Sequence, residues 1–136
     1  MANTDAYTTK ASDVLRVEAS KLMLAPADAT YNLIRIPKFA LVTDVWIQIV
    51  TAFTVDASVE VGWLGNGETA VTDGFITDDI ADPLNVGLKR AFNVAVSTFP
   101  GKFFSKASGA ITATVLDNGG AVGNFRVFVQ FTIIHA

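Results

Sequence analysis

Hydrophobic and polar positions alternate through much of the chain, and the clearest case is FRVFVQFTII at 125–134. Phe125, Val127, Val129, Phe131 and Ile133 fall on one face, with Arg126, Phe128, Gln130, Thr132 and Ile134 on the other. A period of two is the signature of a β-strand, whose successive side chains point to opposite sides. The second face is only partly polar, because Phe128 and Ile134 sit on it. A loop, a neighbouring chain or a bulge that reverses the alternation has to account for them.

Similar patterns recur upstream. VLRVEAS sets Leu15, Val17 and Ala19 against Arg16, Glu18 and Ser20, which reads as a strand in preference to a helix starting at Ser12. YNLIRIP is a strand stopped by Pro37. FALVTDVWIQIVTAF is too long for an ordinary strand, so a bend or two strands are expected near Thr43-Asp44. Its second half places Val45, Ile47, Ile49 and Phe53 opposite Trp46, Gln48 and Val50. SVEVGW alternates Val59, Val61 and Trp63 with Ser58, Glu60 and Gly62, and Gly65-Asn66-Gly67 closes it as a tight turn.

Residues 69–90 are the least strand-like, with one helical turn expected after a Thr72 or Thr77 cap and before Pro83. FNVAVST, KFFS and AITATVL follow as strands, with turns at Phe99-Pro100-Gly101-Lys102 and Asp117-Asn118-Gly119-Gly120. Residues 1–12 show no periodicity and read as an irregular N-terminal arm. The expected fold is all-β: a single jelly-roll-like β-sandwich of about eight strands over residues 13–136, preceded by that arm.

Composition sharpens the picture in two ways. The 136 residues suffice for one core and are 51% hydrophobic, with no Cys and one His. Disulfides and thiolate metal sites are therefore excluded. Mean hydropathy is +0.42, yet no run approaches the roughly 18 apolar residues of a membrane helix. The N-terminus lacks the apolar core of a signal peptide. Surface buried against other chains explains the excess better than a membrane does.

Charge is the second. From Phe39 to Leu88 stand Asp44, Asp56, Glu60, Glu68, Asp73, Asp78, Asp79 and Asp82 with no Lys or Arg. From Lys89 onward stand Lys89, Arg90, Lys102, Lys106 and Arg126 against Asp117 alone. Such asymmetry suits electrostatic matching with a partner, unless the two sets interleave on folding.

Catalytic chemistry finds little support. The Asp73–Asp82 acids could bind calcium but lack the Asp-x-Asp-x-Asp-Gly pattern, and nothing selects two of them as a glycosidase pair. His135 has no identifiable orienting partner or nucleophile. GNGET at 65–69 lacks the Gly-Lys-Thr/Ser ending of a phosphate loop. Trp63 shares a face with Val59 and Val61 and reads as core. Trp46 belongs under a loop or at an interface, or, were either Trp exposed in a groove, on a sugar. Net charge of −3 and the absence of an Arg/Lys cluster with aromatics argue against nucleic acid. No cofactor is implied.

The order VWIQIVTAFT, SVEVGW, DGFITDDI, GLK, FPGKFF, ITATVLDNGG and GNFRVFVQFTIIHA, over residues 31–136, resembles the jelly-roll head cement and decoration proteins of tailed bacteriophages. The resemblance implies a non-enzymatic virion structural protein on the outer capsid surface. Such a protein is a homodimer or homotrimer that ties major capsid proteins together and has no membrane or nucleic-acid partner. A β-sandwich binding module, as in a phage fibre or tail or for carbohydrate, is the alternative. The pattern itself selects the interface residues. Phe128 and Ile134 are candidates for self-association, Lys89, Arg90, Lys102 and Lys106 for contact with an acidic capsid surface, and Trp46 for an interface position.

Overall fold

The computed structural model describes residues 15–54, 56–90, 101–117 and 122–134. The arm, the strand expected at 92–98, the turn at 118–120 and His135 lie outside them. In chain order the elements are β1 (Arg16–Ala19), β2 (Met23–Leu24), β3 (Ala29–Ile36), β4 (Ala40–Thr51), β5 (Ser58–Gly65) and β6 (Glu68–Ile76). There follow α1 (Asp78–Ala81), β7 (Gly87–Arg90), β8 (Lys102–Phe103), β9 (Gly109–Leu116) and β10 (Asn124–Ile133). One sheet runs β1-β10-β4-β7, with β2 also on β10 and β8 on β4, and the other runs β3-β9-β5-β6. All the pairings are antiparallel.

The two sheets close on each other as the jelly-roll-like sandwich that the alternation predicts. Val45, Ile47 and Ile49 from β4 and Phe125, Val127 and Val129 from β10 meet Val59 and Val61 from β5 and Ile111 and Val115 from β9, all fully buried. Each such side chain contributes about 1.5–3 kcal/mol relative to exposure. Trp63 packs at the margin of this core as expected, edge-on to Phe75 with ring centroids 4.9 Å apart.

Ten strand segments among the described residues exceed the expected eight or so, and each difference has a local cause. The long fourth stretch is one strand of 12 residues and not two. Gln130 pairs with Asp44 and Phe131 with Val42, so Thr43 is the extra residue of a bulge. That bulge keeps Val42 and Val45 both facing inward and turns Asp44 outward. β6 was not expected, because its polar residues hide the alternation. It sits at the edge of its sheet and changes register against β5, from Val71↔Trp63 to Ile76↔Val61.

The expected turn at Asn66-Gly67 is present, with φ of +63° and +68°. The expected helical turn is α1, capped by Thr77, whose Oγ1 accepts from the Ile80 N–H. It ends at Asp82 in the left-handed region, ahead of Pro83.

Candidate interaction surface

The second face of β10 lies on the outside of the sandwich. Strand register defines the rows across it, because directly paired residues share a face. One row is Ala19, Phe128, Trp46 and Arg90, contributed by β1, β10, β4 and β7. The Trp46 and Phe128 rings stack with centroids 5.7 Å apart and planes within 10°, an arrangement worth about 0.5–1.5 kcal/mol beyond area burial. The Arg90 guanidinium stands 5.9 Å from the Trp46 ring, and its Nη2 donates to Asp44 Oδ2 at 2.5 Å. Asp44 is thereby an outward-facing carboxylate almost closed to solvent, its side chain 7% exposed.

Two rows flank this one. Arg126, Gln48 and Leu88 form one, and Val17, Gln130 and Asp44 the other. Beyond the bulge come Thr132, Leu41 and Phe103. Ile134, which follows β10 with the same parity, donates its N–H to Phe39 O. Val17, Leu88, Phe103 and Ile134 are all exposed. This is the apolar second face that the sequence left uncovered. On its strands Asp44 and Arg90 pair with each other. The Arg126 side chain makes no hydrogen bond or ion pair among the described residues; its Nε, like Asp44 Oδ1, is buried without a partner there.

The structure thus gathers three of the seven candidate residues, Trp46, Arg90 and Phe128, in one row and puts Ile134 further along the same face. It places the lysines elsewhere. Lys89 lies opposite Ile47, on the inward side of β7, and its Nζ donates to the carbonyls of Asp82 and Asn85. Burial lowers its pKa, with Asp82 opposing. The ammonium fills the carbonyl cradle of the α1–β7 loop, where Asn85 Nδ2 also holds both Asp82 carboxylate oxygens. Among the described residues no three acidic or His side chains converge on a point that could hold a metal ion. Replacing Lys89 by Met is expected to lower stability by about 1–3 kcal/mol, since two carbonyls lose a charged donor. The midpoint of urea unfolding checks this.

Lys102 is ion-paired with Glu68 and stands 4.5 Å from the Trp63 ring centre. The Trp63 Nε1–H donates to the same carboxylate at 2.8 Å. These contacts, Lys102 first, hold the Glu68 carboxyl below its ordinary value of 4.5. A carboxylate depressed on folding stabilises above its unfolded pKa, and that contribution is lost as pH falls through the folded pKa. Glu68→Gln is therefore expected to flatten the loss of stability below about pH 4.5, as read by thermal melting against pH. Lys106 is exposed beside the Asn66-Gly67 turn, with its backbone N–H on Asn66 Oδ1. Reasoning from the sequence missed Arg126 and Leu88 as interface candidates. The alternation in FRVFVQF already put Arg126 beside Phe128, but the four-residue β7 offers too little pattern to reveal Leu88.

Neither tryptophan offers a sugar platform. One face of Trp46 lies against Phe128 and Arg90 approaches its ring, while Trp63 is engaged by Phe75, Lys102 and Glu68.

No model of a known protein family matches the chain, nor does any curated protein sequence. Solved structures do. The chain is similar to one in the capsid of cyanophage Pam1, with a TM-score of 0.68 and 15% identity over 98% of this chain and 94% of that one. A chain in the acid-stable capsid of Helicobacter pylori bacteriophage KHP30 gives 0.64 and 17% over 90% and 92%. One in the capsid of Ralstonia phage GP4 gives 0.63 and 15% over 99% and 92%. At these identities the likeness establishes a shared fold across nearly the whole of each chain.

Proposed function

We propose that this chain is a virion structural protein of the cement or decoration type. It binds the outer surface of a phage head, stabilises contacts between major capsid proteins, and assembles as a homodimer or homotrimer. The observation that carries the reading is the near full-length likeness to chains in three phage capsids. Two further features support it. Val17, Leu88, Phe103 and Ile134 are exposed on one sheet face, as an interface requires, and both tryptophans are engaged within the chain, which weighs against a carbohydrate-binding module. In this proposal Trp46, Arg90, Phe128 and Ile134 are interface residues and Lys106 is a separate exposed contact. Lys89 and Lys102 act by holding the loop and hairpin in shape.

Particles sedimented from the source lysate test the reading. Near-stoichiometric recovery of this chain with the major capsid protein, diminished by raised salt, is expected. A chain left wholly in the soluble fraction overturns it.

A further inference from the structure

Arg126 sits in the outer row with Gln48 and Leu88, one strand position from the Phe128–Trp46 stack. Its Nε is shielded from water and has no acceptor among the described residues. A buried donor without an acceptor is costly, and more so when it belongs to a cation. Among the described residues, the strand positions that share its face hold a single carboxylate, Asp44, which is buried beneath Arg90. Among the described residues the face thus combines exposed apolar side chains with polar Gln48 and Gln130 and a guanidinium that lacks an acceptor, on a chain whose net charge is −3. A second copy presenting the same face has no exposed carboxylate to offer Arg126. A different protein with an acidic group set among apolar side chains does, and the exposed Val17, Leu88 and Phe103 meet its apolar part.

We propose that the outer face of the β1-β10-β4-β7 sheet docks on such a surface, with Arg126 pairing to a partner carboxylate at the centre of the contact. The inference rests on the virion reading for the partner's identity, the phage shell. It places self-association elsewhere on the molecule.

The test uses the full chain and heads from the source lysate stripped of it. Binding is measured for the wild type, Arg126→Glu, Arg126→Gln and Leu88→Glu at low and high salt. Melting and sedimentation velocity of each variant alone accompany it. Arg126→Glu is expected to weaken binding by roughly thirtyfold or more, and Arg126→Gln and Leu88→Glu by about tenfold. The glutamine variant is expected to show a flatter salt dependence. Oligomeric state stays at the wild-type value and the melting temperature of Arg126→Gln does not fall below it, because the Arg126 side chain makes no hydrogen bond or ion pair among the described residues and its Nε is an unpaired buried donor.

Wild-type binding by Arg126→Glu and Leu88→Glu overturns the docking assignment while leaving the virion reading intact. A change of oligomeric state in Arg126→Glu also overturns it, by showing that a second copy covers the face. Failure of the wild type itself to bind stripped heads overturns the virion reading, and the proposed partner with it.

Discussion

Gly62→Ala is expected to leave little or no stably folded protein. A Cβ at position 62 would lie 1.8 Å from the Val71 carbonyl oxygen and 2.6 Å from the Thr72 carbonyl carbon. Both obstacles are backbone, so no rotamer change relieves them. Gly62 lies between the Val61↔Ile76 and Trp63↔Val71 pairs, where β6 changes register against β5 and its backbone at Val71 and Thr72 comes against Gly62. A methyl there must push the edge strand off, exposing Phe75 and Ile76, both fully buried. The cost is about 4 kcal/mol or more, a large share of the roughly 5–15 kcal/mol that holds a domain together. Circular dichroism and urea unfolding of the purified variant check it. A midpoint near the wild type's contradicts the close approach. Gly67→Ala makes the comparison informative: its Cβ meets only the Lys106 side chain, at 3.6 Å. Only the left-handed φ of +68° costs it, by about 1–2 kcal/mol.

Phe104→Ala has the second largest expected effect. Phe104 is fully buried, and its backbone bonds to Ala40 O and Phe39 N stitch the segment after β8 to the start of β4. Its ring also lies against Gly109, where a Cβ would stand 2.6 Å from Phe104 Cε1. With the position so closely walled, the cavity left by truncation cannot collapse fully. The expected loss is about 3–5 kcal/mol, read from the unfolding midpoint, and a loss below about 1 kcal/mol contradicts the packing. Because neighbouring Phe103 pairs with Leu41 on the outer face, the variant should also weaken head binding in proportion to the fraction unfolded.

The parts of the fold legible in the sequence were those where one side chain in two is apolar. β4, β5, β9 and β10 announced themselves in this way; the length of the β4 stretch pointed to a bend or a break near Thr43-Asp44, and the structure has a bulge there with the strand continuing through it. β6 was hidden because ETAVTDG is polar and half exposed before Phe75 and Ile76 turn inward. β7 was hidden because its inward position belongs to Lys89, whose ammonium is satisfied by loop carbonyls where a core residue would need none.

The surface shows the same division. Phe128 and Trp46 were recognisable as apolar residues on the second face, since that follows from local alternation. That Arg90 joins their row, and that Lys102 is drawn to Glu68, depends on pairings between residues far apart in the chain. Cations that look alike in sequence thus divide into Arg90 on the sheet face, Lys89 and Lys102 holding the chain's own segments, and Arg126, whose side chain has no partner among the described residues.

The most direct measurement is a reconstruction of native particles at side-chain resolution by electron cryomicroscopy. Expected is this two-sheet sandwich on the outer surface of the head, with Trp46, Phe128 and Arg126 turned toward the shell and a shell carboxylate against Arg126. Particles without the sandwich contradict the structural role, and a sandwich seated by its β3-β9-β5-β6 sheet contradicts the assignment of the docking face.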